Sequence, residues 1–110
     1  MKKIFLFTVL CLVGGTAFAQ KKNVSRANNE LKQEKPNYEE ARLLLKEARE
    51  NPETQNDAKT WWVSAEVEDA IFLQNDQKRI TNQSYDDAAM YKALEDEYAY
   101  LQQALYLDSL

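Results

Sequence analysis

The chain has 110 residues, of which 14 are Lys or Arg and 18 are Asp or Glu, so its net charge is -4. An acidic surface repels phosphate groups, which argues against nucleic acid and anionic lipid as partners. A chain of this length has room for one small domain at most.

Residues 1–19 have the pattern of a secretory signal peptide. Two lysines precede an apolar run over 4–13, and small residues follow at the positions that a signal peptidase reads, which predicts cleavage before Gln20. The run is too short to span a bilayer comfortably. Cys11 lacks the small preceding residue that a lipid acceptor needs, because Leu10 stands there. The sequence therefore predicts an exported protein, either periplasmic or associated with the cell envelope.

Removal of this segment leaves 91 residues with no His, no Cys and no Gly, and with 12 basic against 18 acidic side chains. Such a chain lacks the usual zinc ligands, the thiol nucleophile and the commonest general base, so we expect no enzyme, no metal and no cofactor. Two acidic clusters remain, one formed by Glu66, Glu68 and Asp69 and the other by residues 95–97. Adjacent residues of a helix point in different directions, so we interpret both clusters as solvated helix faces.

The first helix is predicted from Ser25, a suitable N-cap, to about Glu34, after a frayed polar start over 20–23. Its apolar content is thin: Val24, Ala27 and Leu31. We therefore expect it to lie antiparallel to the next helix across a short turn.

The second helix has the clearest signals in the chain. Asn37 as N-cap, Glu40 as its capping-box partner and the pair Asn51-Pro52 as a stop signal predict a helix over 38–50. Its apolar residues recur on one stripe at spacings of three and four: Tyr38, Ala41, Leu44, Leu45 and Ala48. The charged residues between them are expected to face away from the core.

A third helix is predicted to begin after Asp57 and to run to about Leu73. Trp61 and Trp62 diverge by about 100° around this helix, so they cannot share one narrow stripe. Residues 74–83 are polar and weakly periodic, and we interpret them as a loop.

The fourth helix is predicted from a similarity between two segments of the chain. Residues 84–88, Ser-Tyr-Asp-Asp-Ala, repeat the chemistry of residues 37–41, which predicts Ser84 as a cap. The helix should run to about Asp108, either unbroken or interrupted near Glu95. Its main apolar stripe again steps by three and four: Tyr91, Leu94, Tyr98, Leu101 and Leu105.

Aromatic side chains divide between the core and a possible interface. Trp61, Tyr91 and Tyr98 lie on apolar stripes and are expected in the core. Aromatic groups left partly in water are typical of protein interfaces. Three residues that lie off the stripes are therefore the candidate partner-binding residues: Trp62, Tyr100 and Tyr106.

The order of large and small residues resembles the tetratricopeptide repeat family, whose helical hairpins of about 34 residues stack into a superhelix. Residues 38–48 have the small-large-small spacing of the second helix of such a repeat, and Pro52 falls near the usual repeat-ending proline. The chain is also similar to the N-terminal portion of exported repeat proteins of Gram-negative bacteria. The resemblance implies eight residues that pack repeat against repeat: Tyr38, Ala41, Leu45, Ala48, Trp61, Ala65, Leu101 and Ala104.

The second hairpin departs from the family pattern. Ser64 and Glu68 replace the expected leucine and tyrosine, and the hairpin is longer than a repeat, which predicts an insertion or an extra helix within residues 74–95. The resemblance implies an all-α fragment of a right-handed superhelix. We expect its first hairpin to cover residues 20–56, and its second to cover residues 57–110 and to continue in a longer protein.

The function implied is a scaffold module for protein–protein interaction, whose partner is another protein or further repeats of the same chain, with no evident small-molecule substrate. The alternative is a self-associating structural protein of the cell envelope, in which Tyr91 to Leu105 form a coiled-coil-like seam. That stripe covers only about two heptads, fewer than a stable coiled coil normally needs. A third class, an enzyme, would need residues beyond Leu110.

Overall fold

The structure, a computed structural model, describes residues 21–110, which form four helices and no strand. The helices are α1 (21–30), α2 (Tyr38–Glu50), α3 (Ala58–Ile80) and α4 (Asp87–Ser109). The all-α prediction is confirmed for these residues, whereas the predicted signal peptide over 1–19 lies outside them. Within the described part of the chain, no helix is both long and apolar enough to cross a membrane.

The first helix begins earlier than the sequence predicted. Residues 21–30 are helical, so Ser25 lies inside the helix and is not its N-cap, and the polar start is not frayed. Val24 and Ala27 are buried in the core, as expected for the apolar face of α1. Arg26 approaches Glu40 of α2 at 3.5 Å, which places the two helices side by side.

The second helix begins and ends where the sequence predicted. The side chain of Asn37 accepts a hydrogen bond from the N–H of Glu40 at 3.1 Å, which confirms it as the N-cap. The other half of the predicted capping box differs, because the N–H of Asn37 donates to Oε1 of Glu30 at 2.8 Å. A side chain of α1 therefore closes the turn into α2.

The connection from α2 to α3 is held by side chains as well as by backbone. The hydroxyl of Thr54, which is fully buried, donates to the carbonyl of Ala48 at 2.6 Å and so satisfies one of the free carbonyls at the end of α2. The indole Nε1 of Trp61 donates to the carbonyl of Gln55 at 2.8 Å. Asp57 caps α3, as predicted.

The third helix is longer than predicted, and the prediction of a loop over 74–83 is wrong. Residues up to Ile80 continue the helix, which ends where Asn82 adopts a left-handed conformation with φ of 59°. The N–H of Gln83 then donates back to the carbonyl of Lys78 at 2.8 Å, the pattern of a Schellman turn. Residues 74–80 extend α3, residues 81–86 form the connection and residues 87–95 begin α4, so no separate inserted helix forms here.

The fourth helix is unbroken from Asp87 to Ser109. Its N-cap is Asp86, whose carboxylate accepts a hydrogen bond from the N–H of Ala89 at 3.0 Å. The prediction of Ser84 as the cap is wrong, and Tyr85 lies before the helix. Residues 84–88 therefore resemble the start of α2 in composition, but the N-cap falls two residues later in this segment than in residues 37–41.

The hydrophobic core of the described residues lies mainly among α1, α2 and α3. Both α2 and α4 contact α3, and α3 pairs with α4 along more of its length. Within the described residues, α4 contributes to this core cluster through Ala93 alone. The cluster comprises Val24, Ala27, Ala41, Leu45, Ala48, Val63, Val67, Ile71 and Ala93.

Candidate protein-binding surface

The inner face of α4 packs on α3 through small or half-buried residues. Ala93 and Ala104 are fully buried, and Ala65 of α3 is nearly so, which allows a close approach of the two helices. Buried and half-buried residues of α4 recur at spacings of three and four: Met90, Ala93, Glu97, Tyr100, Ala104 and Leu107.

A second row at the same spacing lies about a quarter turn away and faces solvent. Four of its side chains keep 44–65% of their surface exposed, and Leu101 is half-buried. The prediction that Tyr91 and Tyr98 belong to the core is therefore wrong. We call this row the outer stripe: Tyr91, Leu94, Tyr98, Leu101 and Leu105.

The outer stripe is apolar along its length. Tyr91, Leu94 and Tyr98 line a shallow depression with Glu95, which lies at the edge of the stripe. The ammonium group of Lys92 binds Asp96 at 3.0 Å within the same helix, and this hydrogen bond raises the pKa of Lys92. The charges of α4 in this region are thus paired or peripheral, and the stripe itself offers no charge to a partner.

Two of the three predicted partner-binding aromatics make internal contacts. The ring of Tyr100 lies 4.4 Å from Cζ of Arg49 and 5.9 Å from the ring of Trp61, so it joins α2, α3 and α4. Burial raises the pKa of the Tyr100 phenol. The indole Nε1 of Trp62 donates to Asp108 at 2.7 Å, which ties the start of α3 to the end of α4.

The third, Tyr106, has 59% of its surface exposed near the C-terminal end of α4. It is available to a partner at the end of the outer stripe.

A polar groove separates α2 from α4. It is lined by Glu39, Arg42, Leu43, Lys46, Arg49, Lys92 and Asp96. Most of its cations already have internal partners, since Arg49 donates to Ser64 at 2.7 Å and Lys92 binds Asp96. This groove is therefore a weaker candidate for a binding site than the outer stripe.

The strongest of these internal pairs joins Arg42 to Glu68. The guanidinium donates to both carboxylate oxygens, at 3.0 and 2.7 Å, and hydrogen bonding to Glu68 raises the pKa of Arg42. The carboxylate is almost completely buried, so the interpretation of Glu68 as part of a solvated face is wrong. Glu68 of α3 thus receives an arginine from the neighbouring helix α2.

A pair of carboxyl groups lies where α3 meets α4. Burial, the negative charge of Asp69 and a hydrogen bond between the two side chains raise the pKa of Glu97, and the nearby charge of Glu68 adds to this effect. Among residues 21–110, no group of three or more metal-ligating side chains could hold an ion.

The eight residues implied by the repeat resemblance all lie at least partly inside the protein. Five are buried: Ala41, Leu45, Ala48, Ala65 and Ala104. Three are half-buried: Tyr38, Trp61 and Leu101.

The chain was compared with protein-family models, curated proteins and solved structures. No protein-family model matches the chain, and no curated protein or solved structure matches it.

Proposed function

We propose that this protein is an exported helical scaffold that binds other protein chains through the outer stripe of α4. The observation that carries this proposal is a helix that is packed on α3 along one face and displays a continuous row of tyrosine and leucine along another. Exposed apolar patches of this kind commonly mark interaction sites, and aromatic residues are enriched in them.

The packing of α4 on α3 forms the outer stripe within a single copy, before any partner binds. Ala93 and Ala104 hold α4 close to α3, and the hydrogen bond from Trp62 to Asp108 fixes its C-terminal end. A partner would therefore lose little free energy in ordering the surface that it binds. This favours a scaffold whose work is recognition.

The finer features of the proposal come from the sequence. Export to the periplasm or cell envelope rests on the pattern of residues 1–19. Stacking like that of tetratricopeptide repeats is supported by the small residues Ala41, Ala48, Ala65 and Ala104, which are buried between helices. The 23-residue lengths of α3 and α4, against 13 residues for α2, are the main departure from a regular repeat.

A second candidate function is a self-associating, coiled-coil-like structural protein of the envelope. It is favoured by the spacing of the outer stripe, which is that of a coiled-coil seam and is left open in a single copy. Both functions use the same surface and differ in the identity of the partner.

Site-specific photo-crosslinking in cells that make the protein at its normal level tests the binding role. A photoreactive amino acid replaces Tyr98 in the full chain, and a matched variant carries it in place of Leu43, which is similarly exposed on α2. We expect a protein adduct from position 98 and none from position 43. Absence of any protein adduct at position 98 would show that the outer stripe is not a binding surface.

A further inference from the structure

We infer that the outer stripe binds the same stripe of a second copy, with the two α4 helices antiparallel across a two-fold axis. This inference rests on the proposed binding role of that face and names its partner. It is carried by the spacing, the residue order, the charge and the area of the stripe.

The spacing calls for a helix as the partner. Tyr91 to Leu105 extend over about 21 Å of helix axis, and successive members are three or four residues apart, as in the seam of a two-helix coiled coil. A helix that interlocks with this row needs a matching row on its own surface. The outer stripe of a second copy meets that need.

The residue order suits an antiparallel arrangement. With the axis between Ala99 and Tyr100, Leu94 of one copy lies opposite Leu105 of the other, and Tyr98 lies opposite Leu101. At each end of the seam, Tyr91 lies opposite Asp108 of the other copy. The two-fold axis repeats both pairs, which gives four apolar layers. Antiparallel helices also place the positive end of each helix dipole beside the negative end of the other.

The outer stripe is a surface on which two copies can meet without electrostatic repulsion. The net charge of -4 makes most surfaces of the protein repel a second copy. The stripe carries no charge, and the antiparallel register brings Glu95 at its edge near Gln102 of the second copy, about 13 Å along the axis from the other Glu95. The pairing therefore opposes no like charges along the seam.

The exposed area is sufficient for a weak dimer. The exposed fractions of Tyr91, Leu94, Tyr98 and Leu105 leave roughly 400–500 Å² per copy, in the range of the functional patches of monomeric proteins. Burial of both stripes would cover at most about 900 Å², because Tyr91 at each end lies opposite Asp108 and not opposite an apolar residue. This is the size of a weak, transient interface. We expect a reversible dimer that forms in the micromolar range or above.

Sedimentation of the full chain between about 1 μM and 1 mM tests the inference. The wild type should shift from monomer to dimer, and Leu105→Glu should raise the dissociation constant at least about tenfold. Leu43→Glu is a matched control, because Leu43 and Leu105 are both 59% exposed, and it should leave the dimer intact. Circular dichroism of the variants checks that the helices remain folded.

A wild-type chain that stays monomeric at 1 mM, or a dimer that is insensitive to Leu105→Glu, would overturn the inference. The photo-crosslinking separates this failure from that of the proposed function. An adduct at Tyr98 with a different protein and no dimer would retain the binding role and reject the second copy as partner. No adduct at all would reject both.

The antiparallel orientation has its own test. A spin label is attached to a cysteine at Ala88, an exposed position off the stripe, in a Cys11→Ser background. The antiparallel pair separates the two labelled positions by about 35 Å along the axis. A distance below about 25 Å would indicate parallel helices and contradict the proposed arrangement.

Discussion

Both α2 and α4 lie against α3, and both carry an apolar stripe at spacings of three and four, but only the stripe of α2 is covered. Leu45 in the stripe of α2 is 1% exposed, in a core shared with α1 and α3, whereas Leu105 in the outer stripe is 59% exposed. The contrast shows that an amphipathic pattern predicts an apolar face without predicting that the same chain covers it.

The two helices also meet α3 with different chemistry. Alongside its apolar stripe, α2 directs Arg42 to Glu68 and Arg49 to Ser64, whereas α4 presents alanines. An ion pair and a hydrogen bond thus help to fix α2, while α4 is held by close backbone approach and, at its C-terminal end, by the hydrogen bond from Trp62 to Asp108. The following predictions test these differences in decreasing order of effect.

The same substitution in the two stripes should have very different effects on stability. Leu45→Ala should lower the free energy of unfolding by about 2–5 kcal/mol, because it leaves a cavity in the core. Leu105→Ala should change it by less than about 0.5 kcal/mol in dilute protein. Urea unfolding followed by circular dichroism measures both. Equal losses would mean that the outer stripe is packed within one copy.

Removal of the arginine from the buried ion pair should also be costly. Arg42→Met leaves the carboxylate of Glu68 buried without its partner and should destabilise the fold by about 3 kcal/mol, since a third of the Arg42 side chain remains in water. The double variant Arg42→Met/Glu68→Leu should recover most of the loss. If Arg42→Met had no effect on urea unfolding, the pair would not contribute to the packing of α2 on α3.

The caps should show which residue starts α4. Asp86→Ala should cost about 1 kcal/mol, similar to Asn37→Ala at the start of α2, because each removes an acceptor for a free amide. Ser84→Ala is the control and should change stability by less than about 0.5 kcal/mol. A larger loss of stability from Ser84→Ala than from Asp86→Ala would identify Ser84 as the N-cap of α4.

The carboxyl pair of Glu97 and Asp69 should make a smaller contribution to the free energy of unfolding, and this contribution should depend on pH. Because the pKa of Glu97 is raised in the folded chain, the folded state binds a proton more strongly than the unfolded state does. The stabilisation is present at acidic pH and is lost as the pH rises through the folded-state pKa of Glu97.

Replacement of Glu97 by Gln should therefore stabilise the fold at neutral pH and flatten this dependence, because the charge beside Asp69 and Glu68 is removed. Urea unfolding from pH 4 to pH 8 measures it, at pH values that bracket the usual carboxyl range and neutrality. Glu95→Gln, at the exposed edge of the outer stripe, should retain the wild-type profile. An unchanged profile in Glu97→Gln would assign the pH dependence to other groups.

Local signals in the sequence were sufficient for α2 and failed at the end of α3. Asn37 and the Asn51-Pro52 pair are each specific to a helix end, and the structure uses both. Residues 74–79 are polar and lie on the less buried half of α3, so their weak periodicity resembles that of a loop. Asn82, a residue type that tolerates positive φ, was the available signal for the true end of the helix.

The candidate site was found in part, for a reason that lies in α4. The sequence identifies the outer stripe as an apolar row and predicts Tyr91 and Tyr98 in the core, although Ala93 and Ala104 on the other row permit closer approach to α3. Sequence periodicity could not choose between two apolar rows on one helix. The internal contacts of Trp62 and Tyr100 depend on Asp108 and Arg49, which are distant in sequence and could not be predicted from local pattern.

The most direct test of the account is hydroxyl-radical labelling of tyrosines in the full chain at low and high protein concentration. Tyr91 and Tyr98 should be labelled freely in dilute protein and protected when copies pair, while Tyr85, which is exposed before α4, serves as the internal control and should not change. Labelling of Tyr91 and Tyr98 that is already low in dilute protein, or that does not fall as the protein is concentrated, would contradict a stripe that is open in one copy and covered in two.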